Sequence, residues 1–341
     1  KFRFLIAIFF VLAFLNANSQ NNNELYQNAV YYFNNDEYDK AISDLVKYID
    51  ADKNNPKAYN LLGRAYSVLG DFDKAMLNFQ YAIKLDDKYY EAVKNLGYVY
   101  YDEGNFSKAI SLFESSIKIN PKYDTAYNAL GNTYDEMGNY KKAIAYYKKA
   151  IAISSEYDGA YNNLGLTYSH AGQYDNAIES CKKAIEINPR NDESYNAIGY
   201  IYEDKGEYLE AIEWFNKALE VNKDNADAYN NLGVAYYYSD DLKGESKAVK
   251  NYMKALELNP DNIDSFNNLG AAYFSTNPEK AMEYYKKALS INPNHVDTNY
   301  NIAKLYMSLN MPDEAIAHFR RAAKNGQALS QKELTQRGLD W

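Results

Sequence analysis

The sequence predicts an all-α chain folded as one helical solenoid, and three observations predict it. Glycines stand at Gly63, Gly97, Gly131, Gly165, Gly199 and Gly233, each 34 residues after the last, and Gly270 continues the series. A tyrosine follows each glycine three residues on, at Tyr66, Tyr100, Tyr134, Tyr168, Tyr202, Tyr236 and Tyr273. An alanine then recurs in every unit, followed four residues later by a large side chain in all but one. A fixed period in this range marks supersecondary units that cannot bury an apolar face alone, so that only the stack folds.

The chain opens on a segment unlike the rest. Lys1–Gln20 has a basic start, an apolar run from Phe4 to Leu15, then small and polar residues. The run of about twelve residues is short of the roughly twenty that span a bilayer. This order fits a secretory signal peptide over 1–19, with small residues Ala17 and Ser19 preceding a cleavage point after Ser19. The expectation is an exported chain, periplasmic or secreted, with no stable membrane insertion once the leader is gone; an uncleaved anchor helix is the competing reading.

The repeats occupy 20–327. Each reads as two helices. Tyr32 and Tyr306 extend the tyrosine series, with Ala29 and Ala303 in the glycine slot. Gly70, Gly104, Gly138, Gly172 and Gly206 follow the first helix, where a left-handed residue costs least as glycine. The second helix carries the alanine (Ala41, Ala75, Ala109, Ala143, Ala177, Ala211, Ala248, Ala281, Ala315) and then the large residue, such as Phe79, Phe113, Tyr147 or Phe215, with Cys181 once in its place. Small residues in the glycine and alanine slots let two backbones approach, and the large residue fills the gap between them. Pro121, Pro189, Pro260 and Pro293 end second helices and begin the turn to the next unit. The seventh unit carries three extra residues around Ser239–Ser246, read as a tolerated surface loop, and the eighth loses one at Ser275–Pro278. Leu329–Leu339, inside the remaining 328–341, reads as an amphipathic capping helix.

This pattern closely resembles the tetratricopeptide repeat family, with the usual tryptophan slot mostly tyrosine (Tyr59, Tyr127, Tyr161, Tyr195, Tyr229). The resemblance covers about nine repeats, from near Asn22 to near Gln327. It implies a right-handed α-solenoid whose first helices line a concave groove. It is specific for fold and nearly silent on function. The carboxylate-clamp pattern of some members is not met: Lys94 sits at a suitable slot, but Tyr98 stands where asparagine is needed. Capture of a C-terminal carboxylate is therefore not expected.

Composition narrows the function. The net charge of −9 becomes −11 when Lys1 and Arg3 leave with the leader. No basic stripe exists to displace counterions from a nucleic acid. One cysteine, Cys181, excludes an internal disulfide and a cysteine metal cluster. His170, His295 and His318 lie in different units, and neither a phosphate-cradling GxxxxGK[ST] loop nor a G-x-S-x-G elbow occurs. The chain reads as non-catalytic and free of cofactors.

Function then falls to the groove. The core takes Tyr59, Leu62, Gly63 and Tyr66, and the opposite stripe takes Lys57, Asn60, Arg64, Ser67 and Val68. Followed along the chain, this stripe brings Asp135, Glu136, Glu193, Glu203, Asp204, Asp227 and Asp264 in units four to eight, with no Lys or Arg. Cations come at Lys57, Arg64 and Lys94, and again at Lys304. Aromatics are interleaved at Tyr98, Tyr101, Tyr200, Tyr237, Tyr238 and Phe274, and asparagine recurs at Asn60, Asn128, Asn162, Asn196, Asn230 and Asn267. The expectation is a groove for an extended segment of a protein partner, its backbone held by the asparagine ladder and its basic residues drawn by the acidic stretch. A plainer reading stands beside it: asparagine beside the glycine belongs to the generic repeat pattern, and acidic faces keep solenoids soluble. A glycan-binding groove of tyrosine, asparagine and aspartate and self-association through the ends are the other readings; salt dependence separates a basic peptide from a sugar.

Overall fold

The computed structural model describes residues 22–239 and 244–341. The leader expected over 1–19, and most of the three-residue insertion of the seventh repeat, lie outside the described residues. Every regular element among them is a helix. The chain divides into two compact units, Lys1–Ala160 and Tyr161–Trp341.

The first unit holds α1 (22–34), α2 (Tyr38–Ala51), α3 (Pro56–Val68), α4 (Phe72–Leu85), α5 (Tyr90–Asp102), α6 (Phe106–Ile119), α7 (Asp124–Glu136) and α8 (Tyr140–Ile153). The division falls within α9 (Asp158–His170). The second unit continues with α10 (Tyr174–Ile187), α11 (Asp192–Asp204), α12 (Tyr208–Val221), α13 (Ala226–Tyr238) and α14 (Gly244–Leu258). It ends with α15 (Ile263–Tyr273), α16 (Pro278–Ile291), α17 (Val296–Ser308), α18 (Pro312–Lys324) and α19 (Ala328–Gln336). Odd-numbered helices up to α17 are the first helices of repeats and even-numbered ones the second. This is the α-solenoid class.

Helix ends follow the local chemistry. Gly70, Gly104, Gly138, Gly172 and Gly206 take φ between +70° and +77°, and Asp36 and Asn310 hold the same slot at +60° in the first and ninth repeats. The side chains of Asp71, Asn105, Asn139 and Asn277 accept backbone N–H bonds at the starts of second helices. The last helix stops at Gln336, short of Leu339, because Gly338 turns left-handed at φ +70°.

Packing is sequential within each unit. First helices also touch the first helices of neighbouring repeats, α3 with α5 and α5 with α7, then α11 with α13, α13 with α15 and α15 with α17. First helices therefore form an inner layer and second helices an outer one. Between the layers the glycine slot receives the large residue of the second helix. A Cβ at Gly199 would lie 2.6 Å from the Phe215 ring, and Phe215 is fully buried. Truncating such a ring costs about 3–5 kcal/mol. Cys181 is likewise fully buried against Gly165, and burial pushes its thiol up to about 12, which keeps it an unreactive packing group. Of the Tyr66-type tyrosines, Tyr134 and Tyr168 are buried and Tyr66, Tyr100, Tyr202, Tyr236 and Tyr273 only half-buried. They lie on the outer side beneath lysines, with Lys74 5.0 Å from the Tyr66 ring and Lys108 4.6 Å from Tyr100.

Candidate functional site: the inner face of the first helices

The asparagine ladder is placed differently from its expected role. Asn60, Asn128, Asn162, Asn230 and Asn267 are buried, and Asn196 is half-buried. Four of these carbonyl oxygens are engaged by the following repeat. Asn95 donates to Asn60 at 2.9 Å, Asn231 to Asn196 at 3.4 Å, Asn268 to Asn230 at 3.0 Å and Asn301 to Asn267 at 3.0 Å. Ser265 adds a second bond to Asn230 at 3.0 Å. The ladder staples one repeat to the next, and a buried, bonded amide has little left to offer a partner backbone. Asn162 differs: its carbonyl oxygen is buried without a partner, and Ala197 occupies the position from which Asn95 and Asn231 donate in their repeats.

Other predicted residues do reach the inner surface. In the first unit Tyr98 and Tyr101 project from α5. The Tyr98 ring sets its edge against Phe113, centroids 5.2 Å apart, and the Lys94 ammonium lies 5.3 Å from the Tyr98 centroid. Burial, and then the nearby Arg64, lower the Lys94 pKa. Arg64 stacks at 4.4 Å on Phe33 and with Tyr98 and Asn95 borders a cavity of about 200 Å³. Tyr101 is pushed up to about 12 by burial and by Glu136, with Asp135 a smaller contributor. Asp135 is half-buried on α7.

In the second unit α11 presents Tyr200, Glu203 and Asp204, and α13 presents Tyr237 and Tyr238, 38% and 59% exposed. Glu203 is half-buried, and its Oε2 is enclosed without a hydrogen-bond donor. Burial, and next the charge of Asp204, push its carboxyl up to about 7. Ser169 donates to Asp204 Oδ2 at 3.4 Å. Asp227 stands apart in the first turn of α13, three helical turns from Tyr237, where Asn262 of the next repeat donates to it at 3.5 Å. Asp264 pairs with His295 Nε2 at 3.4 Å.

Two site residues escaped the sequence reading. Tyr252 and Tyr285 belong to second helices and fill the glycine slots, where both are buried. A Cβ at Gly233 would lie 2.5 Å from the Tyr252 ring, so that ring enters only because the slot is glycine. The Tyr252 hydroxyl is raised by burial first and then by Tyr238, Glu203 and Tyr237. Tyr285 joins Tyr237, Phe274, Asn301 and Lys304 around a cavity of about 210 Å³. The available signal was tyrosine in place of phenylalanine at that slot. Among the described residues no group of His, Cys, Asp or Glu is arranged to hold a metal ion, and no helix is long and apolar enough to cross a membrane.

Comparison with known proteins agrees with this architecture. Family models described as tetratricopeptide or TPR repeat match residues 89–156, 159–191, 180–213, 199–238 with 246–277, and 275–331. Residues 1–82 match the model for anaphase-promoting complex, cyclosome, subunit 3. No curated protein matches the chain in sequence. Among solved structures, the crystal structure of MamA is 34% identical over 49% of this chain and 97% of that one, with a TM-score of 0.41. The APC/C hetero-tetramer Cut9–Hcn1 is 20% identical with a TM-score of 0.59, the match covering 79% of this chain and 52% of that one. A tetratricopeptide repeat protein from Parabacteroides merdae ATCC 43184 is 19% identical with a TM-score of 0.58, over 79% of this chain and 99% of that one. The last two share the fold. On the repeat matches, which run through most of its length, the chain belongs to the tetratricopeptide repeat family.

Proposed function

We propose that the inner face of the second unit binds an extended, basic segment of a protein partner, with Glu203 and Asp204 receiving a lysine or arginine beside Tyr200 and Tyr237. Proteins of this repeat family are protein-interaction scaffolds and generally non-catalytic, which fits a chain built this way. The observation that carries the basic specificity is the enclosed Glu203 oxygen with no donor, next to a second carboxylate. A buried carboxylate lacking a partner costs free energy that an incoming cation recovers. The aromatic rings at its sides suit the same cation.

The proposal includes export, on the strength of the apolar run Phe4–Leu15, and N-terminal sequencing of chain recovered outside the cytoplasm tests that part. The groove is tested with a fluorescein-labelled twelve-residue peptide of alternating lysine and alanine. Binding should weaken steeply with salt and fall at least tenfold in Glu203→Gln/Asp204→Asn. Affinity unchanged in that variant overturns the reading. Salt-insensitive binding of a neutral oligosaccharide, lost in the same variant, replaces it with glycan recognition.

A further inference from the structure

The outer surface of the second unit carries a separate feature. Second helices hold a residue just before the large packing residue, and in four repeats it is a ring that wedges against a first-helix tyrosine. Tyr146 stacks on Tyr134 with centroids 5.5 Å apart, Trp214 lies 6.1 Å from Tyr195, Tyr284 stacks on Tyr273 at 5.8 Å, and His318 stacks on Tyr306 at 5.7 Å. In the seventh repeat that slot is Asn251, whose amide turns back to its own helix and donates to the Lys247 carbonyl at 2.9 Å. No second-helix ring is supplied to Tyr229 and Tyr236, the two half-buried tyrosines that α13 presents there, and the Lys247 ammonium lies 4.8 Å from the Tyr236 centroid. A cleft of about 880 Å³ lies over them, between α12 and α14.

The walls are cationic. Helix α14 lines the cleft with Lys247, Lys250 and Lys254 at i, i+3 and i+7, one face of a helix, and the turn after α12 adds Lys223 from the other wall. Glu220 and Glu257 also lie in the lining, and Lys254 bonds Glu257 at 2.8 Å. Four lysines against two glutamates leave the cleft positive on a chain whose net charge is −9. Its floor is apolar, with Leu219 and Leu232 between the two tyrosines.

We propose that this cleft is a second docking site, for an acidic protein segment that inserts one aromatic side chain between Tyr229 and Tyr236, where four other repeats place a ring of their own. The segment's carboxylates flank that ring and meet Lys223 on one wall and Lys250 on the other. An aromatic–aromatic contact supplies the anchor and the lysines supply orientation and rate of encounter. A polyanion of uniform charge suits the cleft less well, because Glu220 and Glu257 interrupt the lysines and the floor offers nothing to a sugar or phosphate backbone. The site faces away from the inner layer and stands or falls independently of the groove reading.

The test uses the full chain and a fluorescein-labelled peptide with one tryptophan flanked by two glutamates on each side, beside the same peptide with lysines. The acidic peptide should bind and the basic one should not bind at this cleft. Two variants then read the site. Asn251→Trp fills the cleft with the ring that Trp214 already provides one repeat earlier, and should reduce binding at least tenfold with unchanged circular dichroism and Tm. Lys223→Glu/Lys250→Glu should do the same without altering shape, and decides alone should the tryptophan variant misfold. Acidic-peptide binding unaffected by Lys223→Glu/Lys250→Glu overturns the proposal. So does a heparin hexasaccharide that binds through these lysines while the peptide does not, which would make the cleft an anionic-glycan site.

Discussion

Replacing Glu203 by glutamine separates the energetic cost of the groove from its function. The carboxyl titrates near 7 in the folded chain because burial, and then Asp204, oppose its charge. An unfolded glutamate titrates near 4.5. Between those values the folded chain holds a proton that the unfolded chain has released. Stability therefore falls as pH rises through this window and levels off above it. A displacement of that size corresponds to about 3 kcal/mol, an upper figure because the residue is only half-buried. Glutamine keeps the shape and never ionises, so Glu203→Gln should match the parent near pH 4.5 and exceed it by up to about 3 kcal/mol at pH 8. Urea unfolding followed by Trp214 fluorescence, in a Trp341→Phe background, reads this region, since Trp214 lies on α12 beside α11. Parallel stability curves for parent and variant from pH 4.5 to 8 would refute the reasoning, because they would mean that Glu203 is ionised in the folded chain at no cost.

Three further outcomes follow from the packing. Gly233→Ala forces a Cβ to within 2.5 Å of the Tyr252 ring and should destabilise by about 1–3 kcal/mol, with Tyr252→Leu in the same chain recovering part of the loss in urea unfolding. Ala197→Asn supplies the amide donor that buried Asn162 Oδ1 lacks and should add about 1 kcal/mol; a lowered Tm would show that the slot has no room for it. His295 is raised by its bond to Asp264, so this pair contributes stability below the unfolded histidine pKa and loses it as pH rises through the folded value; in Asp264→Asn the NMR titration midpoint of His295 should drop.

The fold was legible because its determinants are local and repeated nine times. Glycine at the end of a first helix needs a left-handed φ, and glycine opposite Phe79 or Phe215 needs close contact, so both leave a fixed spacing in the chain. The inner face was less legible. Helical periodicity puts Asn60 on the side away from Tyr66, but it does not say that the next first helix covers that side. The contact of α3 with α5 does so, and it turns a stripe read as groove into a staple between repeats. The acidic pair was easier to place, since Glu203 and Asp204 lie at the C-terminal end of α11, where Asp204 accepts only a long bond from Ser169 and stays exposed.

What periodicity hides best is a departure carried by a single side chain. Tyrosine and phenylalanine are interchangeable as fillers of the glycine slot, yet only tyrosine brings a hydroxyl through the slot, as Tyr147 does in bonding Asn132 of the first helix at 2.8 Å. Asn251 is the converse case. It violates no repeat rule, because the position tolerates aspartate, asparagine, serine, leucine or a ring, and its consequence is visible only where two neighbouring second helices flank a pair of half-buried tyrosines. In a stack whose core positions are fixed by mutual packing, individuality is confined to such tolerant slots and to the residues that project beyond the core. Function in this chain should therefore track Glu203, Asp204, Tyr252 and Asn251 more closely than the glycines and alanines that define the repeat. Substitutions at the latter should change stability, and substitutions at the former should change what the chain binds.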